Sequence, residues 1–372
     1  DEEIDRITAG ITQWQPKNIE IPVDKDMLKD AFSDDQNYKE SIGVKPDTSL
    51  PILQKGIDFE MPVDSLDNTV NWRFNGRLYG EDPQGNRVYY LQTQDRVILD
   101  ILRTNNWLRP VYFANTVSQQ SQMNLQQYFR NEGKAYRVVP KNFDAGRDGY
   151  IDTKIFTDRL ENFYFREWND PDVYLDENIR RMLTNYRFNF MSLAMKYREE
   201  GKVDSAGFWL KWGEDKVPFR ADETNESLKL LYAVRYAQVG LTDDATRLAA
   251  TAEPGLLEDL TNYLNKFAEI ETEFSQLRNE FESARTRGNI RQQRELRSQL
   301  NQLNSEAEQY LNQVRTLRQS LTLIQYTYFQ ADKTEEAVQL GEQVNAAMGE
   351  EFPAMPATKE ESDREIGRYG LN

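Results

Sequence analysis

Two long runs of apolar residues at alternating steps of three and four dominate the C-terminal half of this sequence. They cover residues 260–281 and 300–324, and Gly288-Asn289 lies between them. Such steps place apolar side chains on one stripe of a helix, and a sustained stripe is typical of coiled coils. Residues 257–325 are therefore predicted to form an antiparallel coiled-coil hairpin, an arm of roughly 30–45 Å at about 1.5 Å per residue.

A repeated triplet of residues flanks the hairpin. An aromatic residue is followed by glycine or aspartate after four positions and by alanine after nine: Tyr197-Gly201-Ala206, Tyr236-Gly240-Ala245 and Tyr328-Asp332-Ala337. This is the hinge pattern of a tetratricopeptide (TPR) repeat, where alanine lets the second helix pack closely. Tyr197 and Tyr236 lie 39 residues apart, whereas Tyr236 and Tyr328 lie 92 apart, which makes the hairpin an insertion. The alternative is that the three triplets occur by chance at turns between unrelated helices.

The N-terminal half alternates strand and helix signals. Thr69–Phe74 alternates apolar and polar residues up to Asn75-Gly76, a strong hairpin turn, and Arg87–Leu91 is the candidate second arm. The predicted elements that follow are a helix at 95–103, a strand at 110–114, a helix at 125–131 and a strand at 135–139. Asn105-Asn106 supplies the turn after the first of these helices, since asparagine tolerates the left-handed conformation.

These patterns predict an α+β chain. A small N-terminal α/β domain is followed by a mainly α, TPR-like helical domain with a long antiparallel coiled-coil hairpin. The predicted divisions are an extended wrapping segment at 1–65, the α/β domain at 66–150, the TPR-like domain at 151–256 and 326–349, the hairpin at 257–325, and a mobile or extended tail at 350–372.

Composition excludes several classes of function. The formal net charge is −16, which argues against nucleic acid because binding it requires lysine and arginine to neutralise phosphates. The chain contains neither cysteine nor histidine, so it cannot build Cys/His zinc sites, a Ser-His-Asp triad or a cysteine nucleophile. We therefore assign no catalytic residue, metal or cofactor. No apolar run reaches the roughly 18 residues of a membrane helix, and no signal peptide is recognised, so we expect a mature or excised fragment.

Two acidic motifs allow more than one interpretation. Asp170, Asp172, Asp176 and Glu177 crowd one short stretch. Paired carboxylates can serve acid/base or metal chemistry, but acids also cap and stabilise a helix N-terminus, here that of a long helix predicted at 176–200. Similarly, residues 144–155 have some of the spacing of a calcium loop. The alternative is a polar turn in which Asp152 or Thr153 caps the next helix.

Three groups of residues are candidates for binding. Trp107, Arg109, Tyr112 and Trp168 either line a sugar-binding groove or form an interdomain core. Tyr186, Asn189, Tyr232 and Arg235 are candidates to line the concave groove of a TPR domain. Arg287, Arg291 and Arg294 at the hairpin tip either dock an acidic partner or lipid headgroups, or form a solvated tip balanced by nearby glutamates.

Several motifs in order resemble a known family. They are Asn106-Trp107-Leu108-Arg109-Pro110-Val111-Tyr112-Phe113-Ala114, then Glu132-Gly133, Tyr136-Arg137-x-Val139-Pro140 and Asp170-Pro171-x-Val173-Tyr174-Leu175-Asp176-Glu177-Asn178. This region, roughly 90–250, resembles the C-terminal part of the bacterial DUF2723 family of protein O-mannosyltransferase-like membrane glycosyltransferases. The resemblance implies a periplasmic or extracytoplasmic domain whose membrane portion, bearing the donor site and the catalytic acid, lies outside this chain.

Three functions follow as expectations. The first is a non-catalytic extracytoplasmic domain that binds a protein partner or an acceptor polypeptide for such a glycosyltransferase. The second is a free-standing envelope scaffold that uses the TPR groove and the arm. The third is an enzyme in its own right, with carboxylates as catalysts.

Overall fold

The computed structural model describes residues 11–32, 60–146, 149–168, 170, 172–220, 226–350 and 352–371. The chain divides into two compact units at residues 164/165. A small β-rich region comes first and a mostly helical region follows, so the mixed α+β class predicted from the sequence is confirmed. Most of the predicted wrapping segment lies outside the described residues.

The first unit contains eight described strands and three helices. The strands are β1 (Ile11–Trp14), β2 (Lys17–Pro22), β3 (Thr69–Phe74), β4 (Arg77–Glu81), β5 (Arg87–Gln92), β6 (Tyr112–Ala114), β7 (Phe129–Asn131) and β8 (Ala135–Val138). The helices are α1 (Lys25–Phe32), α2 (Thr93–Thr104) and α3 (Thr153–Glu161), with short 3-10 turns at Val63–Ser65, Gln119–Gln122 and Gln126–Tyr128. Three antiparallel sheets result, with strand orders β1-β5-β4, β2-β3 and β6-β8-β7.

Strand β3 differs from its predicted pairing. It alternates buried and exposed residues, but its partner is β2 rather than the strand beyond Asn75-Gly76. Ile19 lies opposite Trp72 in that ladder, and both are buried. Gly76, at φ 72°, turns the chain from one sheet into another. The hairpin forms one turn later, between β4 and β5, where the Asp82 carboxylate accepts the amides of Gln84 and Asn86.

The predicted helix at 125–131 is wrong. Residues 126–128 form a 3-10 turn, and the chain then enters β7, which pairs with β8. Tyr128 anchors the turn, because its hydroxyl bonds to the backbone of Asn71 at 3.0 Å. Leu125 and Phe129 are fully buried. Contacts with distant parts of the chain therefore override the local helical pattern.

The connection from α2 to β6 is held by asparagine. The Asn105 side chain accepts the Arg109 amide at 3.1 Å and donates to the Arg109 carbonyl at 2.6 Å, which closes a tight loop. Asn106 takes a left-handed conformation, with φ 49°, as predicted. Trp107 shares that conformation, with φ 63°, and its indole donates to the Pro22 carbonyl at 3.1 Å.

The second unit contains seven helices in its described part. They are α4 (Glu177–Glu199), α5 (Val203–Lys216), α6 (Glu226–Gln238), α7 (Thr242–Thr286), α8 (Ile290–Gln330), α9 (Thr334–Met348) and α10 (Lys359–Arg368). The predicted long helix at 176–200 is confirmed as α4, and Asp176 is its N-cap, accepting the Ile179 amide at 2.8 Å.

Three turns with one local geometry join α4 to α5, α6 to α7 and α8 to α9. The turn residue is left-handed in each, at Gly201, Gly240 and Asp332. The following amide donates at 2.9 Å to the carbonyl of the aromatic residue: Lys202 to Tyr197, Leu241 to Tyr236 and Lys333 to Tyr328. The alanine in the next helix is fully buried in each case, at Ala206, Ala245 and Ala337.

Helices α7 and α8, of 45 and 41 residues, run antiparallel on either side of the turn at Gly288. Contacts along their length define one register. The Gln293 side chain reaches the Ala284 carbonyl near the turn, the rings of Tyr263 and Tyr310 lie 5.9 Å apart, and the Tyr328 hydroxyl meets Glu253 at the base. Both helices are continuous with the turns at Gly240 and Asp332, so the predicted insertion at 257–325 has no structural boundary of its own.

The C-terminal segment is more ordered than predicted. Helix α10 forms within the predicted mobile or extended tail, and Thr358 caps it. The Arg318 guanidinium donates to the Pro353 and Ala354 carbonyls at 2.8 Å and to the Glu365 carboxylate at 2.7 Å. Gln325 donates to the Pro356 carbonyl at 2.9 Å. These bonds fasten the segment to α8, which the proline-rich local sequence does not reveal.

The turn at Gly240 should tolerate no β-branched residue. Its φ of 79° is strained for side chains other than glycine, although no neighbouring atom would contact an added Cβ. We expect Gly240→Val to destabilise the helical unit by roughly 1–3 kcal/mol, measured by chemical denaturation. Asp332→Gly is the matched control, because it relieves the same conformation at the equivalent turn and should not destabilise. Equal losses in both variants would contradict this account.

The Arg318–Glu365 contact should make stability depend on pH. Burial acts to raise the pKa of Glu365, but hydrogen bonds from Arg318 and Tyr369 outweigh it, so the pKa lies below its usual 4.5. A depressed carboxyl pKa stabilises the fold above the unfolded value, and this contribution is lost as the pH falls through the folded pKa. We expect Glu365→Gln to lower the melting temperature at pH 7, with the difference from wild type shrinking below about pH 4. A constant difference would refute the link.

Candidate functional site

The distal part of α7 and α8 is the strongest candidate for a functional surface. We define the arm as residues 264–312. Its buried apolar residues are Ile270, Ala284, Leu296 and Leu303, which belong to the stripes of the two helices. Two helices cannot enclose a seam completely, so further apolar side chains along it are only half-buried. The arm therefore keeps apolar surface that a further helix would cover.

That surface opens into a groove in the half of the arm nearer its base. Its volume is about 380 Å³, and its apolar walls are Phe267, Ile270, Phe274, Ala307 and Leu311. Glu271 and Glu308 stand at its edges and are exposed. The groove combines an apolar floor with a charged rim, which is the usual make-up of a protein-binding surface.

Charge is distributed unevenly along the arm. The distal half, residues 278–297, carries six arginines and three glutamates. The proximal half, residues 264–277 and 298–312, carries five acids and one lysine. The predicted tip residues Arg287, Arg291 and Arg294 are all exposed. The arm thus has a basic end and an acidic base, on a chain whose overall charge is strongly negative.

The other partner-binding residues predicted from the sequence do not line an open groove. Tyr186, Asn189 and Tyr232 are 7%, 6% and 0% exposed, and Tyr232 donates to the Leu210 carbonyl at 2.9 Å inside the helical unit. Burial raises the pKa of Tyr232 well above its ordinary value. Arg235 is half-buried and donates to Gln238 at 2.7 Å. Helical spacing identifies such aromatic residues, but it does not distinguish a core face from a groove face.

The predicted sugar-binding set does not form one cluster within either unit. Trp107 is 3% exposed and belongs to the core of the first unit, whereas Arg109 is exposed. Tyr112 is 44% exposed and its hydroxyl donates to Glu132 at 3.3 Å. Trp168 belongs to the second unit, with its ring 4.8 Å from that of Tyr186. Because the four side chains are separated in this way, they do not form a shared sugar-stacking face within either unit.

Two members of the acidic motif accept hydrogen bonds from the backbone. Asp176 caps α4, and the Asp170 carboxylate accepts the Asp172 amide at 2.9 Å. Across the described residues, no group of three or more acidic side chains is placed to hold a metal ion. In the proposed calcium loop, Asp152 is the N-cap of α3, accepting the amides of Lys154 and Ile155 at 3.0 Å. Residues 147 and 148 of that loop lie outside the described part.

A buried charged centre in the first unit was not predicted from the sequence. Arg130 and Arg137 are directly opposite each other on β7 and β8, and they are 1% and 0% exposed. Glu132 balances them, accepting Arg130 at 2.5 Å and 3.0 Å. Arg159 approaches the same carboxylate at 3.4 Å and also bonds to Glu60. The sequence does contain one indication of this centre, because its arginines lie among apolar residues such as Phe129 and Val138.

Burial shifts the pKa values of two side chains in this centre. It lowers the pKa of Arg137, since a buried guanidinium loses its hydration, and the nearby Arg130 charge acts in the same direction. It also raises the pKa of Tyr112, whose phenol is therefore neutral at physiological pH. A cavity of about 270 Å³ adjoins the centre, lined by Glu60, Arg130, Lys141, Asn142, Tyr150 and Asp152. Its mixed charges neutralise one another, so we read the centre as structural.

Comparison with known families bears on part of the first unit. A family model described as TMEM260-associated domain 2 matches residues 86–155. The match begins at the end of the β4–β5 turn and includes β6, β7, β8 and Asp152, hence most of the buried centre. No curated protein and no solved structure matches the chain. Among the described residues, no helix has both the length and the apolar character needed to cross a membrane.

The comparison corrects the family predicted from the sequence. The matched family is TMEM260-associated domain 2 and not DUF2723, so the sequence-based identification is wrong. The comparison also gives no support to the labels TPR, coiled coil and periplasmic. The motifs at 106–114 and 132–140 do lie inside the matched segment, whereas the Asp170–Asn178 motif lies beyond it.

Removing the Glu132 charge should destabilise the first unit strongly. The variant Glu132→Gln leaves Arg130 and Arg137 buried without their carboxylate, and breaking a buried ion pair on one side costs about 3–5 kcal/mol. Chemical denaturation measures this loss. Asp64→Asn is the control, because the Lys29–Asp64 pair is exposed and its removal should change stability little. Similar small effects of both changes would contradict the proposed role of Glu132.

Proposed function

We propose that this chain is a non-catalytic protein-interaction subunit, in which the helical unit supports the arm and the arm binds a protein partner. The single observation that carries the proposal is the arm itself. Two helices extend for about 39 Å beyond Leu260, at roughly 1.5 Å per residue, and expose an apolar groove in the acidic half of an arm whose tip is basic. Exposed apolar surface with a polar rim commonly marks a protein-interaction site.

The anchoring of the arm supports the same function. At its base, Leu256, Leu260 and Leu317 are buried. Beyond them, α8 enters the helical core and holds α10 through Arg318. We further infer that the helix pairs α4–α5, α6–α7 and α8–α9 are copies of one helical hairpin. The arm is then an extension of two neighbouring copies, held at a fixed direction by both.

The alternatives have weaker support. An enzyme that uses carboxylates would need acids that are not already engaged with the backbone, whereas Asp170, Asp152 and Asp176 each accept backbone amides. Sugar binding through Trp107 would require exposing a core residue. The acceptor polypeptide, the membrane portion of a parent protein and the extracytoplasmic location rested on the corrected resemblance alone, and they stay predictions. A free-standing scaffold remains compatible with the arm, because it uses the same surface.

The arm should be removable without unfolding the helical unit. Replacing residues 264–312 by a short Gly/Ser loop retains Leu260 and Leu317, and closing the gap costs little because antiparallel helices lie about 8–10 Å apart. We expect an unchanged melting temperature by circular dichroism. Excising 257–325, the hairpin predicted from the sequence, also removes Leu260, Arg318 and Ile324 and should unfold the unit. If both deletions unfold it, the arm belongs to the core.

Binding by the arm can be tested by photo-crosslinking in the cells that make the protein. A photoreactive residue at Ser275, which lines the groove and is exposed, should give a discrete crosslinked protein species. The same residue at the exposed Glu335, outside the arm, is the control and should give none. Equal or absent crosslinking at the two positions would refute the proposed function.

A further inference from the structure

The arrangement of charged residues along the arm indicates which protein it binds. We propose that the groove-bearing face of the arm binds a second copy of this chain, with the two arms antiparallel about a two-fold axis at the distal edge of the groove. This inference rests on the proposed function, since it names the partner that the arm binds.

An interface between two identical chains must be its own complement about the axis. On α7, the exposed residues Glu271 and Arg278 are seven positions apart, or about two helical turns, so they lie on one face. On α8, the exposed residues Arg297 and Glu308 are eleven positions apart, or about three turns, so they also share a face. Glu271 and Glu308 both border the groove, which identifies that face as the groove-bearing one.

A single position of the two-fold axis pairs opposite charges on both helices. The midpoint of the α7 pair falls between Phe274 and Ser275, and the midpoint of the α8 pair falls between Gln302 and Leu303. In the register of the arm these midpoints are opposite each other, since Phe274 and Asn304 line facing walls of the same groove. A single two-fold axis there sets Glu271 against Arg278 of the second copy and Arg297 against its Glu308. Four ion pairs would then surround the apolar centre.

The charge of each half favours the same orientation. In an antiparallel pair, the basic distal half of one arm lies beside the acidic proximal half of the other, and this attraction occurs twice. A parallel pair would instead place six arginines beside six arginines, which is repulsive. The axis also sets the half-buried Phe274 of the two copies against each other. It places the half-buried Phe267 of one copy beside the half-buried Phe281 of the other, so each arm covers part of the open side of the other seam.

Charge reversal on the intact chain tests this arrangement. Sedimentation velocity of the wild type should show a dimer whose population falls as salt is raised. The variant Arg278→Glu with Arg297→Glu should be monomeric, and so should Glu271→Arg with Glu308→Arg. Mixing the two variants should restore a dimer that contains one copy of each, because every contact then joins opposite charges. Circular dichroism confirms that each variant keeps its helices.

The control is Lys333→Glu with Arg364→Glu, which makes the same change in net charge at exposed positions outside the arm and should leave the dimer intact. A monomeric wild type would overturn the inference, as would a dimer that resists both reversals or a mixture that stays monomeric. If the arm crosslinks at Ser275 to a different protein while the chain is monomeric, the proposed function holds and self-association fails. If Ser275 crosslinks to nothing, both fail.

Discussion

The helical unit depends on one segment of α8 that is buried on every side. All residues from Ser320 to Phe329 are buried, so this part of the helix has no solvent-facing side. Several of its polar groups are bonded within the protein: Thr322 donates to the Arg318 carbonyl, and Gln325 donates to the carbonyls of Ala337 and Pro356. A helix enclosed in this way is the centre on which its neighbours pack. Its direction therefore fixes the direction of everything that continues from it, including the arm.

The same two helices thus have two different environments along their length. At the base, α7 and α8 are enclosed by other helices, and the cost of ordering them is offset there by burial. In the arm, each helix has only the other to pack on, which leaves Phe267 and Phe274 half-covered. The acidic and basic halves keep this exposed seam soluble while restricting which surfaces can approach it. An apolar groove bounded by separated charges is selective, because a partner in the wrong orientation meets like charge.

Sequence patterns predicted the parts of the fold that depend on local periodicity. The long helix at 176–200, the two arm helices and the left-handed turns at Gly201 and Gly240 all follow from residue spacing. Strand pairing did not follow, because β3 is equally suited to several partners, and its choice of β2 depends on contacts about fifty residues away. The prediction of a helix at 125–131 was wrong for the same reason, because contacts with distant residues determine the structure there. For the candidate site residues, spacing placed Tyr186 and Tyr232 on helices but did not show that both side chains are buried.

The buried charged centre shows why some structural features cannot be predicted from local sequence patterns. Arg130 and Arg137 would each be expected at the surface, and as cross-strand neighbours they repel each other. They are tolerated because Glu132 lies two residues beyond Arg130 and because Arg159, from a later helix, completes the network around the same carboxylate. The spacing of Arg130 and Glu132 can be read from the sequence, but the cross-strand position of Arg137 and the approach of Arg159 follow only from the folded structure. A buried network of this kind adds little net stability over an apolar core, but removing one of its partners is strongly destabilising because it leaves a buried charge uncompensated.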